Sequence, residues 1–271
     1  MTKFKECRKD LAFLTSQFNE ILDNFSTGKY DPSYVPNLFT AIHCLNDELK
    51  NKRITHERLI SSMVQLYCAA FETTSSTIYF CILMLAMYPE FQAKAYAEVC
   101  ELFPEDDEGE FEVTYEDLSK LTYVDMFVKE TMRLLPTIPQ TGRTIRGGDL
   151  KLSNGVVLPE GLDIGINIYY LHRNKEIWGP NANAFNPDNF LPCNVEKRHS
   201  YAFIPFMKGS RFCIGMRYAE MSLKVAMSKL IKRYKFTSAA KLDDFQLENH
   251  ISLYLVNTPS FTIERRVLNK I

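Results

Sequence analysis

The chain has 271 residues, room for one large domain. Its 46% hydrophobic and 24% charged content is ordinary globular usage and excludes disorder, collagen and a coiled coil. Thirty-two basic residues against 33 acidic ones leave a net charge of −1, which argues against a whole-surface affinity for nucleic acid, since that needs a strong basic excess.

Seven cysteines (Cys7, Cys44, Cys68, Cys81, Cys100, Cys193 and Cys213) are scattered, odd in number and without a C-x-x-C pair. That pattern fits neither a disulfide framework nor a structural zinc site. It predicts reduced, mostly buried thiols in a reducing compartment, with Cys213 as the exception. The first ten residues are polar and charged, with no apolar core of a secretory signal. The most apolar run, Ile78–Tyr88, is too short to span a bilayer, so the sequence as it stands reads as soluble.

Residues 1–28 carry Leu11, Leu14, Phe18, Ile21, Leu22 and Phe25 at helical spacing, ending at Gly28. A turn at 30–33 and a short helix from about 35 to 50 follow, then a solvated turn around Lys50–Arg53. Thr55 is the expected N-cap of a long helix that stops at Pro89. At 1.5 Å per residue that helix is about 50 Å long. Its middle, Met63–Leu85, is apolar nearly all round and is predicted to be buried on most sides. The polar block Glu72–Thr77 inside it therefore needs partners or a purpose.

A helix over 90–102, an acidic loop at 105–110 and a capping box at Thr114 and Asp117 come next. The segment 121–135 is helical and ends at Pro136. Glycines then punctuate β-like runs at 150–152, 156–158 and 162–170. Residues 179–210 form a long loop rich in Pro, Asn and Gly, the kind that wraps tightly around something. A last helix spans 214–234, with Met216, Ala219, Leu223, Ala226, Met227 and Leu230 on one stripe, and short strands close the chain. The whole reads as a single domain, mainly α with small β-sheets.

The most informative segment is Phe206-Met-Lys-Gly209-Ser-Arg211-Phe-Cys213-Ile-Gly215, immediately before the last helix. A cysteine there faces unsatisfied N–H groups and the positive helix end, a setting that favours the thiolate, the metal-ligating form. The flanking glycines permit positive φ and close approach of backbone to a flat partner. Arg211 adds a cation suited to a carboxylate.

This segment resembles the haem-binding loop of the cytochrome P450 family, F-x-x-G-x-R-x-C-x-G, at every fixed position. Further features follow in the family's order. Ala69–Thr74 resembles the oxygen-activating stretch of the long central helix, and Glu130-Thr-Met-Arg133 matches the E-x-x-R helix. Phe185–Phe190 resembles the meander, and Arg143 falls where many members place a second propionate-binding arginine. The likeness covers 55–271 well and 1–54 in outline. Complete members are nearly twice as long, so it implies a P450 fold truncated at the N-terminus.

The resemblance implies haem with Cys213 as axial thiolate and Arg211 and Arg143 on the propionates. Phe206 would pack near the ligand and ring, Gly209 belongs to the same loop, and Gly215 would let the final helix pass close beneath. Glu72 and Thr73 would relay protons on the opposite face, Glu130 and Arg133 would brace the cysteine loop, and 136–140 would line part of the substrate pocket. Two departures stand out. Ala70 replaces a usual glycine, and Asn189 replaces the meander arginine, which is expected to leave Glu130 short of partners and the loop less stable.

The function implied is a haem-thiolate monooxygenase acting on an apolar small molecule, with electrons from NADPH through a flavoprotein reductase. Likeness to the microsomal branch implies the endoplasmic reticulum, with membrane association for a full-length form. Between 208 and 235, eight basic residues stand against the single acid Glu220, a face suited to an acidic reductase. The alternative is a catalytically silent fragment that binds haem weakly or not at all.

Overall fold

The computed structural model describes residues 2–26, 51–104 and 111–266. The turn expected at 30–33, the helix at 35–50 and the acidic loop at 105–110 lie outside them. The chain divides into two compact units, residues 1–72 and 73–271, with the boundary inside one long helix.

In the first unit, α1 (Thr2–Ser26) and the start of α2 (His56–Met87) pair through apolar stripes. Leu22 is buried with Leu59, Ile60, Met63 and Val64, flanked by Leu14, Phe18 and Ile21. Thr55 caps α2, its hydroxyl accepting from the Arg58 N–H at 3.3 Å. The expected burial of the helix middle, Met63–Leu85, holds at Met63, Val64 and from Phe80 to Leu85 in large part, and fails over 65–71. Residues 65–71 are exposed, Leu66 and Phe71 by 55% and 64%. A helix that is apolar all round needs neighbours all round, and among the described residues α1 covers the Leu59–Val64 stripe and sets Phe18 against Tyr67 at 5.9 Å.

By length and composition α2 could cross a membrane. The apolar run Ile78–Tyr88 hid this, because the small and hydroxylated residues of 68–77 extend it with no charge except Glu72.

In the second unit the last turns of α2 supply the centre of the core. Phe80, Cys81, Met84 and Leu85 pack with Val99 of α3 (Pro89–Leu102), Val124 and Phe127 of α4 (Thr122–Leu134), and Leu223, Met227 and Ile231 of α5 (Met216–Arg233). Phe185 inserts among Tyr88, Phe91 and Phe127 at ring distances of 5.0, 5.6 and 5.2 Å. Thr114 and Asp117 form the expected capping box, with the Thr114 hydroxyl donating to the carboxylate at 2.7 Å, at a single 3₁₀ turn, Asp117–Ser119.

Gln92 knits three of these elements together. Pro89 has no N–H to donate to the Leu85 carbonyl, and the Gln92 amide donates there instead at 2.8 Å. It also donates to the Phe236 carbonyl at 2.8 Å and accepts from the Phe236 N–H at 3.0 Å and from Arg266 at 3.2 Å. All four hydrogen-bonding positions of the amide are used. Gln92→Leu strands buried backbone groups and is expected to lower the urea midpoint by an equivalent of about 3 kcal/mol without changing the m-value.

The strands pair as antiparallel two-stranded ladders, β1 (Gln140–Thr144) with β4 (Asp163–Asn167) and β2 (Leu150–Lys151) with β3 (Val157–Leu158). β5 (Tyr234–Thr237) joins β8 (Thr262–Arg265), and β6 (Leu247–Asn249) joins β7 (Leu253–Leu255). The run expected as strand to Tyr170 ends early. Asn167 accepts from the Tyr170 N–H at 2.9 Å and caps a helical turn, Ile168–Leu171.

The long segment 179–210 holds single turns at Pro187–Phe190, Pro192–Val195 and Ser200–Ala202. Among the described cysteines only Cys81 is buried, so the expected burial of most thiols fails. Cys68, Cys193 and Cys213 are exposed, Cys100 is half-buried, and all are free.

Candidate functional site

The i, i+3 spacing on α4 places Glu130 and Arg133 side by side with no exposure. Arg133 Nε and Nη2 each donate to Glu130 at 2.7 Å. Its remaining donors reach the carbonyls of His172 (2.8 Å), Ala182 (2.6 Å) and Ala184 (3.0 Å). All five guanidinium N–H groups are thus used, which is the condition for burying this cation. The segment 172–184 is wrapped around Arg133.

Glu130 is fully supplied as well. Besides Arg133 it accepts from the Asn186 N–H at 2.8 Å and from the Asn189 side-chain amide at 3.1 Å. The expected shortage at Asn189 is therefore absent, because the asparagine reaches the carboxylate itself. Arg198, a residue the sequence did not flag, holds the same turn. It donates to the carbonyls of Asn189 and Asn194 and lies 4.1 Å over the Trp178 ring, 4.9 Å from which lies Arg133. Burial pushes the Glu130 carboxyl above its ordinary value, and the Arg133 hydrogen bonds pull it back.

The cysteine loop is a tight backbone device. The Cys213 N–H donates to the Phe206 carbonyl at 2.9 Å, the Phe212 N–H to Gly209 at 3.2 Å, and the Met216 N–H to the Cys213 carbonyl at 3.3 Å, opening α5. Gly209 adopts φ +86°, as its place in the motif requires, and Met207 also has a positive φ of 65°. Phe206 packs on the core while Cys213 stays exposed. A Cβ on Gly215 would lie at ordinary contact distance, 3.9 Å, from the Cys213 sulfur.

Arg211 and Arg143 share one cavity of about 880 Å³, with Arg146, Asp163, Gly142 and Thr144. Arg143 reaches it from β1, its guanidinium donating to the Gly142 carbonyl at 2.7 Å. The volume lies within the roughly 300–1,000 Å³ of ligand pockets, and the lining is cationic. Arg146 is a third arginine there that motif reading did not include.

Glu72 and Thr73, on α2, are half-buried and lie outside this cavity's lining. One turn on, the buried Thr77 hydroxyl donates to the Thr73 carbonyl at 2.8 Å and receives the Thr137 hydroxyl at 2.8 Å. Thr137 belongs to the segment 136–140, of which Pro136, Thr137 and Pro139 are buried.

The eight basic residues expected on one face do not all reach it. Lys232 is 3% exposed, donating to the Phe103 carbonyl at 2.8 Å, and Lys224 pairs with Asp125 at 3.1 Å. Both neighbour the buried stripe of α5, so their stems are drawn into the protein. Lys208, Arg211, Arg217, Lys229 and Lys235 remain exposed.

The Cytochrome P450 family model matches residues 1–263. Relatives include the probable cytochrome P450 313a3 of Drosophila melanogaster, 41% identical over 96% of this chain and 53% of its own length. The probable cytochrome P450 313a4 of the same organism is 43% identical over 73% of this chain and 39% of its own. A crystal structure of a cytochrome P450 (CYP102L1) superposes with a TM-score of 0.71 at 22% identity, covering 79% of this chain and 47% of that one. The chain spans about half the length of the curated relatives it matches. With that coverage by the family model, and a fold shared with a solved member, the chain belongs to the cytochrome P450 family.

Proposed function

We infer that the chain is the haem-carrying part of a haem-thiolate monooxygenase that inserts one oxygen atom of O₂ into an apolar small molecule. The family's cofactor is haem on a cysteine thiolate, and the residues present fit it. The observation that carries the reading is an exposed cysteine on a loop that opens a helix, two residues from Arg211, which lines one cavity with Arg143. When bound, haem supplies dioxygen chemistry, and the thiolate pushes electron density that favours O–O cleavage.

The chain's own residues supply the rest. Cys213 is the ligand, and Arg211 and Arg143 pair with the propionates in charge-assisted hydrogen bonds. Phe206, Gly209 and Gly215 shape the loop, and Glu72 and Thr73 hold and pass protons on α2. The carbon monoxide difference spectrum of the reduced chain tests this: a Soret band at the red-shifted thiolate position supports it, and its absence overturns it for this chain. The exposed face at 65–71 favours a second reading, a catalytically silent chain that holds haem weakly, which the same spectrum separates.

NADPH electrons are proposed to arrive through an acidic flavoprotein reductase at the exposed cations near Cys213, in the endoplasmic reticulum, on the cytosolic face of its membrane. Lys208→Glu with Arg217→Glu is expected to slow reduction of the iron about tenfold at low ionic strength, with the difference shrinking as salt rises. Stopped-flow reduction at two salt concentrations reads this directly.

A further inference from the structure

We propose that His172 is a positioning residue that couples the buried Glu130–Arg133 pair to the Cys213 loop. Its carbonyl accepts from Arg133 Nη1 at 2.8 Å, and its ring Nε2 accepts from the Ile204 N–H at 2.9 Å. The two bonds join the ion pair to the first residue of the turn that opens the loop. The Ile204 carbonyl in turn accepts from the Met207 N–H at 3.0 Å, and the Phe206 carbonyl holds the Cys213 N–H. One residue therefore joins the two, its main-chain carbonyl on the ion pair and its imidazole on the loop's entry.

The packing keeps that geometry in place. His172 is fully buried, its ring lies 5.1 Å from that of Phe203, and Phe203 is itself held at 4.7 Å by Phe190. An acceptor at Nε2 puts the ring proton on Nδ1. Burial first, and then the Arg133 charge, push the imidazole down to about 3, so Nε2 stays an acceptor at neutral pH. Without it the buried Ile204 N–H loses its only described partner and the loop entry is released.

The proposal rests on Cys213 being the haem ligand only in its spectral arm. His172→Phe keeps a ring against Phe203 and removes the acceptor, whereas His172→Gln restores an acceptor at the same reach. Amide hydrogen exchange of the full chain is expected to quicken about five- to tenfold over 204–213 in the Phe variant. The Gln variant should stay near wild type, with α3 and α4 unchanged in both. The thiolate band is expected to fall in the Phe variant and return in the Gln variant.

Wild-type exchange at Ile204 in the Phe variant, or equal loss in both variants, overturns the proposal. Should the Phe variant not fold, the Gln variant decides alone: retained protection at Ile204 supports the coupling and lost protection overturns it. The exchange arm reads the hydrogen bond whether or not the chain binds haem, so failure of the haem reading and failure of this one are separable.

Discussion

Arg133→Ala is expected to remove about 3–5 kcal/mol of folding stability, the largest loss of any substitution considered, because it strands a buried carboxylate. Arg133 has no exposure and no spare donor. Truncation leaves Glu130 with only the Asn186 N–H and the Asn189 amide. It also leaves the Ala184 carbonyl and the buried carbonyls of His172 and Ala182 without this donor, and a buried acceptor costs about 1–3 kcal/mol when unmade.

Two features distinguish this account from simple cavity formation. First, Arg133→Ala with Glu130→Gln should be more stable than Arg133→Ala alone, since the second change removes the unpaired charge. Second, the deficit of Arg133→Ala should shrink between about pH 7 and pH 5. Burial already raises the Glu130 carboxyl, and without Arg133 it rises further above its unfolded value. A group raised on folding takes up its proton as pH falls and loses the penalty of buried charge, so relative stability increases toward acid. Urea titrations of the three variants at both pH values check the magnitude and the sign.

Much of the scaffold was legible where a local rule acts alone. Thr55 and Pro89 bound α2, Thr114 and Asp117 build their capping box, and the i, i+3 pair on α4 is a pair in space. The cysteine loop's spacing translated directly into its backbone bonds. What escaped depended on the third dimension. β1 reads Gln-Thr-Gly-Arg-Thr, without an apolar alternation, and exists because β4 lies beside it.

Charge counting along 208–235 could not see that Lys232 turns inward to the Phe103 carbonyl. Substituting asparagine for arginine at 189 looked like a lost cation until the amide's own reach and Arg198 were placed. The end of β4 was misjudged for a different reason: Ile and Tyr residues suggest strand, and Asn167, a capping signal present in the sequence, outweighs them.

Cys213→Ser is expected to abolish the red-shifted carbon monoxide band completely while leaving the fold within about 0.5 kcal/mol of wild type. The separation follows from how the loop is built. Its turn is held by backbone groups, the Cys213 N–H on Phe206 and the Cys213 carbonyl under Met216, which serine retains. The side chain is exposed, so no core contact is lost. A serine hydroxyl does not ionise near neutral pH and supplies no thiolate to iron.

Cys193→Ser, also exposed but outside the 206–215 loop, should leave the band unchanged. Arg211→Gln and Arg143→Gln should each lower haem retention without moving the band, because they remove a propionate partner and not the ligand. A band that survives Cys213→Ser would place the ligand elsewhere and remove the basis for reading this loop as the haem site.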